Sequence, residues 1–387
     1  MAEGPIYLDY NATTPVDPAV VDAMLPFLRD GFGNPSSVHH YGTQPRAALD
    51  CARAQVAALI GASAEEIVFT GSGSEADNLA LRGVVLACGT DRPHVITQRA
   101  EHPAVLQACE ALRRWHHAEV TYLPVGLDGV VDPADLAAAL TDRTVLVSVM
   151  LANNETGALQ PVGELARIAR DRGVLFHCDA AQAVGKIPVD VTELGVDLLT
   201  VVGHKMYAPK GIAALYVRAG VQLEPLVYGG GQERGLRAGT EPVAMAVALG
   251  AAAELAAADL DGGGQDRIRR LRDRLHDRLR QTLPGRVTLN GPADARLPNT
   301  LNISIDGTLG HALLAAQPGI CASTGSACHS GTHEPSSVLT AMGLDTDRSL
   351  AALRLSLGRW SVEEDIDRAA ELIVSAVEIG GIRPSLS

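Results

Sequence analysis

The sequence predicts an α/β protein, in which a mainly parallel sheet lies between two layers of helices and a smaller α+β domain follows. Three observations predict it. Seven short apolar runs alternate with helical patterns between residues 67 and 217. The alternation stops after Ala244, where a long helical stretch begins. Beyond it, shorter strands and a Gly/Ser loop precede one last strand and one last helix.

The seven runs are Ile67–Thr70, His94–Thr97, Glu119–Leu123, Thr144–Met150, Val174–Cys178, Asp197–Val201 and Ile212–Val217. Helices are expected from Ser74 onward and over Pro103–Trp115, Pro133–Leu140 and Pro161–Arg172. The helical stretch Ala244–Leu283 is broken at Gly262-Gly263-Gly264. Strands then read at Val287–Asn290, Asn299–Ile305 and near Leu353–Leu357, with a final helix over Val362–Ile379. A length of 387 residues leaves room for two domains.

Composition bounds the function. The hydrophobic fraction of 47% and charged fraction of 20% are those of a soluble globular protein. Aromatics make up only 3%, so Ala, Val and Leu must fill the core. A net charge of −13 without a basic patch argues against nucleic acid as a partner. The amino terminus lacks a basic segment followed by an apolar one, and Ala244–Ala258 is interrupted by Glu254 and short for a membrane span. Six irregularly spaced cysteines form neither a disulfide framework nor a paired zinc motif. A cytoplasmic protein with free thiols, no membrane partner and no metal is the expectation.

Open parallel sheets bind ligands at the carboxyl ends of their strands, and there the chemistry collects. Thr70-Gly71-Ser72-Gly73-Ser74-Glu75-Ala76-Asp77 joins a strand to a helix. Its small residues admit a phosphate at a helix amino terminus, and Ser74 with Asp77 reads as a capping box. The same segment fits G-x-G-x-x-A, a dinucleotide fingerprint, but the next strand lacks the acidic ending that would hold a ribose. In Glu101-His102-Pro103, proline opens a helix and puts His102 at its cap, where a neutral ring is favoured and can stack on an aromatic ligand. Asn153-Asn154-Glu155 offers amides for a carboxylate or a ring hydroxyl; an ordinary Asn-rich turn is the alternative. Asp179 ends a buried strand and needs a cation or several donors; a helix N-cap is the alternative.

Lys205, in Val201-Val202-Gly203-His204-Lys205, also ends a buried strand. A partly desolvated lysine loses basicity and attacks carbonyls. Phosphate cradle, stackable histidine, buried aspartate and strand-end amine are together the parts that pyridoxal 5'-phosphate requires.

These residues resemble the NifS/IscS-type cysteine desulfurases and selenocysteine lyases, in the class V aminotransferase group of fold type I pyridoxal-phosphate enzymes. The resemblance runs from Tyr7-Leu8-Asp9-Tyr10-Asn11-Ala12-Thr13-Thr14-Pro15 through Gly31-Phe32-Gly33-Asn34-Pro35-Ser36-Ser37 to Leu353-Arg354-Leu355-Ser356-Leu357-Gly358-Arg359. It implies a large cofactor-binding domain over 16–255 and a small domain formed by 1–15 with 256–387. It also implies that Lys205 takes the cofactor's aldehyde, Asp179 pairs with the pyridine nitrogen and Gln182 binds the ring oxygen. His102 would stack on the ring, while Gly73, Ser74 and His204 hold the phosphate. Thr240 would reach the phosphate of the other subunit, making a homodimer. Asn154 and Arg354 would hold the substrate carboxylate, the planar arginine fork suiting both oxygens.

Val202 departs from the serine that many desulfurases carry there and is similar to the selenocysteine lyase branch. Ala327-Cys328-His329-Ser330 and Arg296-Leu297-Pro298-Asn299-Thr300 look like that branch too, whereas Glu101-His102-Pro103-Ala104 and His177-Cys178-Asp179 look like bacterial desulfurases. Cys328 sits among small polar residues, a setting that leaves a thiol reachable. Cys51, Cys88, Cys109 and Cys178 each fall inside a helical or strand pattern, and Cys321 beside a strand edge. The resemblance gives Cys328 the role of attacking the substrate sulfur and carrying it as a persulfide to an acceptor protein. The expected activity is a cysteine desulfurase acting on L-cysteine, with L-selenocysteine lyase as the near alternative and a nicotinamide dehydrogenase as the remote one.

Overall fold

The computed structural model of the chain describes residues 4–325, 328–329 and 332–379, with the side chains of 328, 329, 332, 333 and 379 outside the description. In chain order, strand β1 (Ile6–Tyr7) leads into helices α1 (Pro18–Arg29) and α2 (His40–Leu59). Next come β2 (Ile67–Thr70), α3 (Gly73–Ala87), β3 (His94–Gln98), α4 (Pro103–Trp115), β4 (Glu119–Leu123), α5 (Pro133–Ala139) and β5 (Thr144–Ser148). The alternation closes with α6 (Val162–Arg170), β6 (Leu175–Asp179), α7 (Val191–Leu194), β7 (Leu198–Val202) and β8 (Ala213–Val217). The rest comprises α8 (Val243–Asp261), α9 (Gly264–Thr282), β9 (Val287–Leu289), β10 (Thr300–Ile305), α10 (Gly310–Ala316), β11 (Ile320–Cys321), β12 (Cys328–His329), β13 (Thr332–His333), α11 (Ser337–Ala341), α12 (Thr346–Leu350), β14 (Ala352–Ser356) and α13 (Glu363–Ile379).

The seven strands read from the sequence form one sheet in the order β2-β8-β7-β6-β5-β3-β4. All pairs are parallel except those of β8, which runs antiparallel to β2 and β7. Side chains alternate across a strand. Ile67 and Phe69 therefore join the core under α1, α2, α6 and α8, while Val68 joins the core under α3 and α4. With apolar cover on both faces, the strands need no polar alternation, and β7 and β8 are buried throughout. A separate core packs α9 and α13 on the antiparallel sheet β14-β10-β9 and takes in Ile6 and Leu8 from the amino terminus. Backbone pairing of Ile6 with Ile320 fixes that terminus against the second core.

Two long helices, α1 and α2, carry no clear signal in the sequence. Pro26 and Pro45 punctuate them, and prolines read as breakers. Packing overrides that signal: both lie against α8, and a Cβ on Gly250 would come within 2.8 Å of the Ala52 Cα. The same contact explains why α8 is so apolar. Its 19 residues have the length and composition of a membrane span, yet Leu249, Ala252 and Ala253 are wholly enclosed in the core. One cap is corrected. Ser72, not Ser74, caps α3, its side chain accepting from the Glu75 N–H, because the helix begins two residues earlier than the Ser74–Asp77 spacing suggested.

The loop before α8 turns sharply, with Glu233 and Arg234 both at positive φ (47° and 56°). A buried clamp holds it: Arg53 donates to both carboxylate oxygens of Glu233 at 2.7 Å, and the Phe69 N–H donates to the same carboxylate. Glu233→Gln leaves the Arg53 guanidinium buried without its counter-charge. The expected loss is about 3–5 kcal/mol, read as a lower denaturation midpoint; an unchanged midpoint would show that the clamp does not stabilise the fold.

Candidate active site

A cleft of about 440 Å³ opens at the carboxyl ends of the parallel strands. Nine residues singled out in the sequence line it: Gly73, Ser74, His102, Asn154, Asp179, Gln182, His204, Lys205 and Arg354. They reach it from the ends of β2, β3, β5, β6 and β7, and from β14 of the second core. Thr240 is exposed and lies outside the cleft lining. Cys328 lies on the short β12–β13 hairpin, with its side chain outside the described residues.

Lys205 stands where it does because β7 stops abruptly. A single 3-10 turn over Gly203–Lys205 follows the strand, and a Cβ at Gly203 would meet the Ile212 carbonyl at 2.8 Å. The amine donates to the Asn11 carbonyl at 2.6 Å and the Ala12 carbonyl at 2.8 Å. Burial pushes its pKa down to about 8, Arg354 pushes the same way, and Asp179 and Asp9 partly oppose them. At neutral pH an appreciable share of this amine is therefore unprotonated and nucleophilic.

Asp179 ends β6 and is almost wholly buried. Burial raises its pKa, while the Ala181 N–H, His102 and Lys205 draw it back down. Two further carboxyls stand behind it. Asp77 is pushed well up by burial and by the neighbouring Asp179. Glu101, which accepts from Gln98 Nε2 and the Met150 N–H, is raised to about 8 by burial. His177 next to Asp77 is driven down to about 3, held neutral between Ser148 Oγ and Thr200 Oγ1. With Asp77 and Glu101 keeping their protons, negative charge in the cleft concentrates on Asp179.

His102 caps α4 through Nδ1, which accepts the Ala104 N–H. That bond fixes the proton of the neutral ring on Nε2, and burial lowers the ring's pKa further. His204 is lowered to about 4 by burial and by Lys205, with Nδ1 beside Thr13 Oγ1. The first turn of α3 points its N–H groups at the cleft next to Gly73, where a Cβ would collide with Val202 Cγ2 at 2.6 Å. Val202 thus packs the helix start and offers no donor. Arg354 is oriented by Asp9 at 2.7 Å and touches the Asn154 carbonyl at 3.4 Å.

Three residues with functional positions escaped the sequence reading. Asn11 is the hub under Lys205. Lys186 stands behind Gln182, and its i,i+4 spacing from that glutamine was the available signal. Glu155, raised to about 7 by burial, accepts from Ser336 Oγ at 2.5 Å beside the backbone of Gly325. It clasps both flanks of the segment bearing Cys328, and only its carboxylate beside two asparagines was visible beforehand.

Sheet order, strand-end lysine and paired aspartate define the fold type I class of α/β enzymes. The aminotransferase class-V family model matches residues 6–369, and the chain belongs to that family. A cysteine desulfurase of Nostoc sp. (strain PCC 7120) is 49% identical over 378 residues, covering 96% of this chain and 93% of that protein. The solved structure of a NifS-like protein superposes with a TM-score of 0.89 at 36% identity, over 97% of this chain and 100% of its own. A structure of SspA in complex with cysteine gives 0.81 at 34%, over 92% and 99%. Within the family the chain groups with the NifS/IscS-type cysteine desulfurases. The dinucleotide fingerprint is thereby corrected: its glycines open α3 in a sheet with an antiparallel β8, not in an all-parallel dinucleotide fold.

The depressed Lys205 pKa gives a direct expectation. In protein freed of carbonyl ligands, labelling of Lys205 by an amine-reactive reagent reaches half its maximal rate near pH 8. Peptide mapping checks this, with the exposed Lys210 as the internal control. Equal titration of the two would contradict the desolvated site.

Proposed function

We propose that the chain is a pyridoxal-phosphate-dependent cysteine desulfurase that converts L-cysteine to L-alanine and passes the sulfur, through a persulfide on Cys328, to an acceptor protein. The observation that carries this reading is the convergence of Lys205, Asp179 and the α3 amino terminus on one cleft. The residues fit the cofactor. A primary amine of lowered pKa faces a buried carboxyl, and a fifteen-residue helix directs its first N–H groups at the same space. Gly73, Ser74 and His204 would hold the phosphate, His102 would cover the ring, and Gln182 would meet the ring oxygen. When bound, the cofactor supplies an aldehyde for the amine and a ring that accepts electrons from the substrate Cα.

The chain's own residues do the rest. Arg354 and Asn154 grip the substrate carboxylate and so aim its Cα–H at Lys205. Lys205 Nζ, once freed by the substrate amine, would take the Cα proton. Asp179, drawn toward its ionised form by the Ala181 N–H, His102 and Lys205, would pair with the ring nitrogen and favour its protonated state. His102 would carry the substrate thiol proton, accepting it on Nδ1 once that nitrogen releases the Ala104 N–H. The Cys328 thiolate attacks the substrate sulfur: an S–S bond forms, the C–S bond breaks, and its electron pair stays with the carbon that becomes the methyl group of alanine. We further read residues 16–255 as the cofactor domain and 1–15 with 256–387 as the domain carrying Cys328. Thr240, exposed in a single chain, suits a phosphate contact across a homodimer. A cytoplasmic location accords with free thiols at Cys51, Cys88, Cys109, Cys178 and Cys321.

The test is alanine release from L-cysteine and from L-selenocysteine by wild type and by Cys328→Ala. Wild type is expected to release alanine from cysteine, and the variant to lose that activity by a factor of about 10² or more while retaining its chromophore. Alanine from selenocysteine alone would replace the desulfurase reading with that of a selenocysteine lyase.

A further inference from the structure

The chain holds only three lysines among its 32 lysines and arginines: Lys186, Lys205 and Lys210. Two of the three meet at Asn11. Lys205 Nζ rests on the Asn11 carbonyl, and Lys186 Nζ donates to Asn11 Oδ1 at 3.0 Å and to Gln182 Oε1 at 2.5 Å. Lys186 does not line the cleft. It faces a smaller cavity behind it, of about 120 Å³, which Lys205 also borders.

The orientations in this cluster are forced, not chosen. Gln182 Nε2 donates to the Asn11 main-chain carbonyl at 3.0 Å, and a carbonyl can only accept, so Oε1 must turn to Lys186. Asn11 Nδ2 donates to the Asn154 main-chain carbonyl, so Asn11 Oδ1 must also turn to Lys186. Asn299 Nδ2, anchored on the Leu357 carbonyl, supplies a further donor to that same oxygen. Gln182 Nε2 keeps one hydrogen uncommitted, and the cleft is where Gln182 is exposed.

We infer that Lys186 is a positioning residue: it locks the Gln182 amide so that only an N–H faces the cleft, and it braces the Asn11 peptide on which the Lys205 amine rests. This inference rests on the function proposed above, in which Gln182 meets the cofactor's ring oxygen. A locked N–H stabilises the ionised form of that oxygen and so eases loss of the proton shared with the Lys205 nitrogen. A compact amine on a flexible stem donates to both converging oxygens at once. The charges facing Lys186 are those of Lys205 and Arg354, both cationic, and they and burial lower its pKa well below the usual lysine value. A surface lysine kept for charge alone would not sit there.

The experiment is a pH titration of visible absorbance in the cofactor-loaded protein, for wild type, Lys186→Met and Lys186→Gln. Methionine removes the donor and frees the Gln182 amide, so the midpoint is expected to rise by about one unit in this variant alone. Glutamine keeps an N–H donor without charge, and its midpoint is expected to stay near that of wild type. A rise in both variants would show that Lys186 acts through charge alone and would overturn the inference, as would a methionine variant indistinguishable from wild type. If the methionine variant does not fold, the glutamine variant still decides, since a rise there overturns the lock. Wild type that takes up no chromophore sinks the proposed function itself, a failure separate from all of these.

Discussion

Asn11 is the constraint on which the site depends. It is almost completely buried, and every polar group on it has a partner. Its N–H donates to Ser356 Oγ, its side-chain nitrogen to Thr300 Oγ1 and the Asn154 carbonyl, and its side-chain oxygen accepts from Lys186 and Asn299. Its carbonyl receives Lys205 and Gln182. The partners come from the central sheet and from the second core alike. A single amide near the amino terminus thus sets the relation between the strand-end lysine and the strand that carries Arg354. Buried polar networks of this kind are costly unless fully satisfied, and here full satisfaction fixes one arrangement.

Electrostatics then follow from burial. Three carboxyls, Asp77, Glu101 and Asp179, crowd beneath one cleft, and like charges there cannot all ionise. Asp77 and Glu101 are the more enclosed. Asp179 has His102 and Lys205 on its open side, so ionisation is cheapest where it is chemically useful. The neutral His177 behind them supplies hydrogen bonds without adding charge that would spread this focus.

The sequence made the sheet and the cleft legible for the same reason. A parallel strand buried on both faces is a plain apolar run, and its last residue is the natural place for chemistry. Reading that residue after each run located His102, Asn154, Asp179 and Lys205, all of which the fold gathers. What stayed hidden depends on distance along the chain. Asn11 lies 175 residues from Lys186 and 194 from Lys205, and no local pattern announces such a contact. Helices α1 and α2 were hidden because their prolines speak against a helix, while their stability comes from α8, far downstream. The cap at Ser72 was missed by two residues because serine, glycine and aspartate all favour such turns and the spacing alone does not choose among them.

The position of Arg354 bears on how a thiol delivered by a loop finds the right sulfur. Its strand, β14, forms an isolated bridge to Ser323, with the Arg354 N–H donating to the Ser323 carbonyl at 2.7 Å and the Ser323 N–H returning at 3.3 Å. Ser323 opens the segment that leads to Cys328, and Glu155 lies against that segment at Gly325 and accepts from Ser336 Oγ beyond it. In the proposed reaction Arg354 grips the carboxylate of cysteine, whose sulfur lies only three bonds from the carboxyl carbon. The group that fixes one end of the substrate is therefore hydrogen-bonded, backbone to backbone, to the root of the segment that must meet the other end. A nucleophile registered in this way on the substrate's own anchor needs little search, and the orientational part of the barrier is lowered before the thiolate attacks.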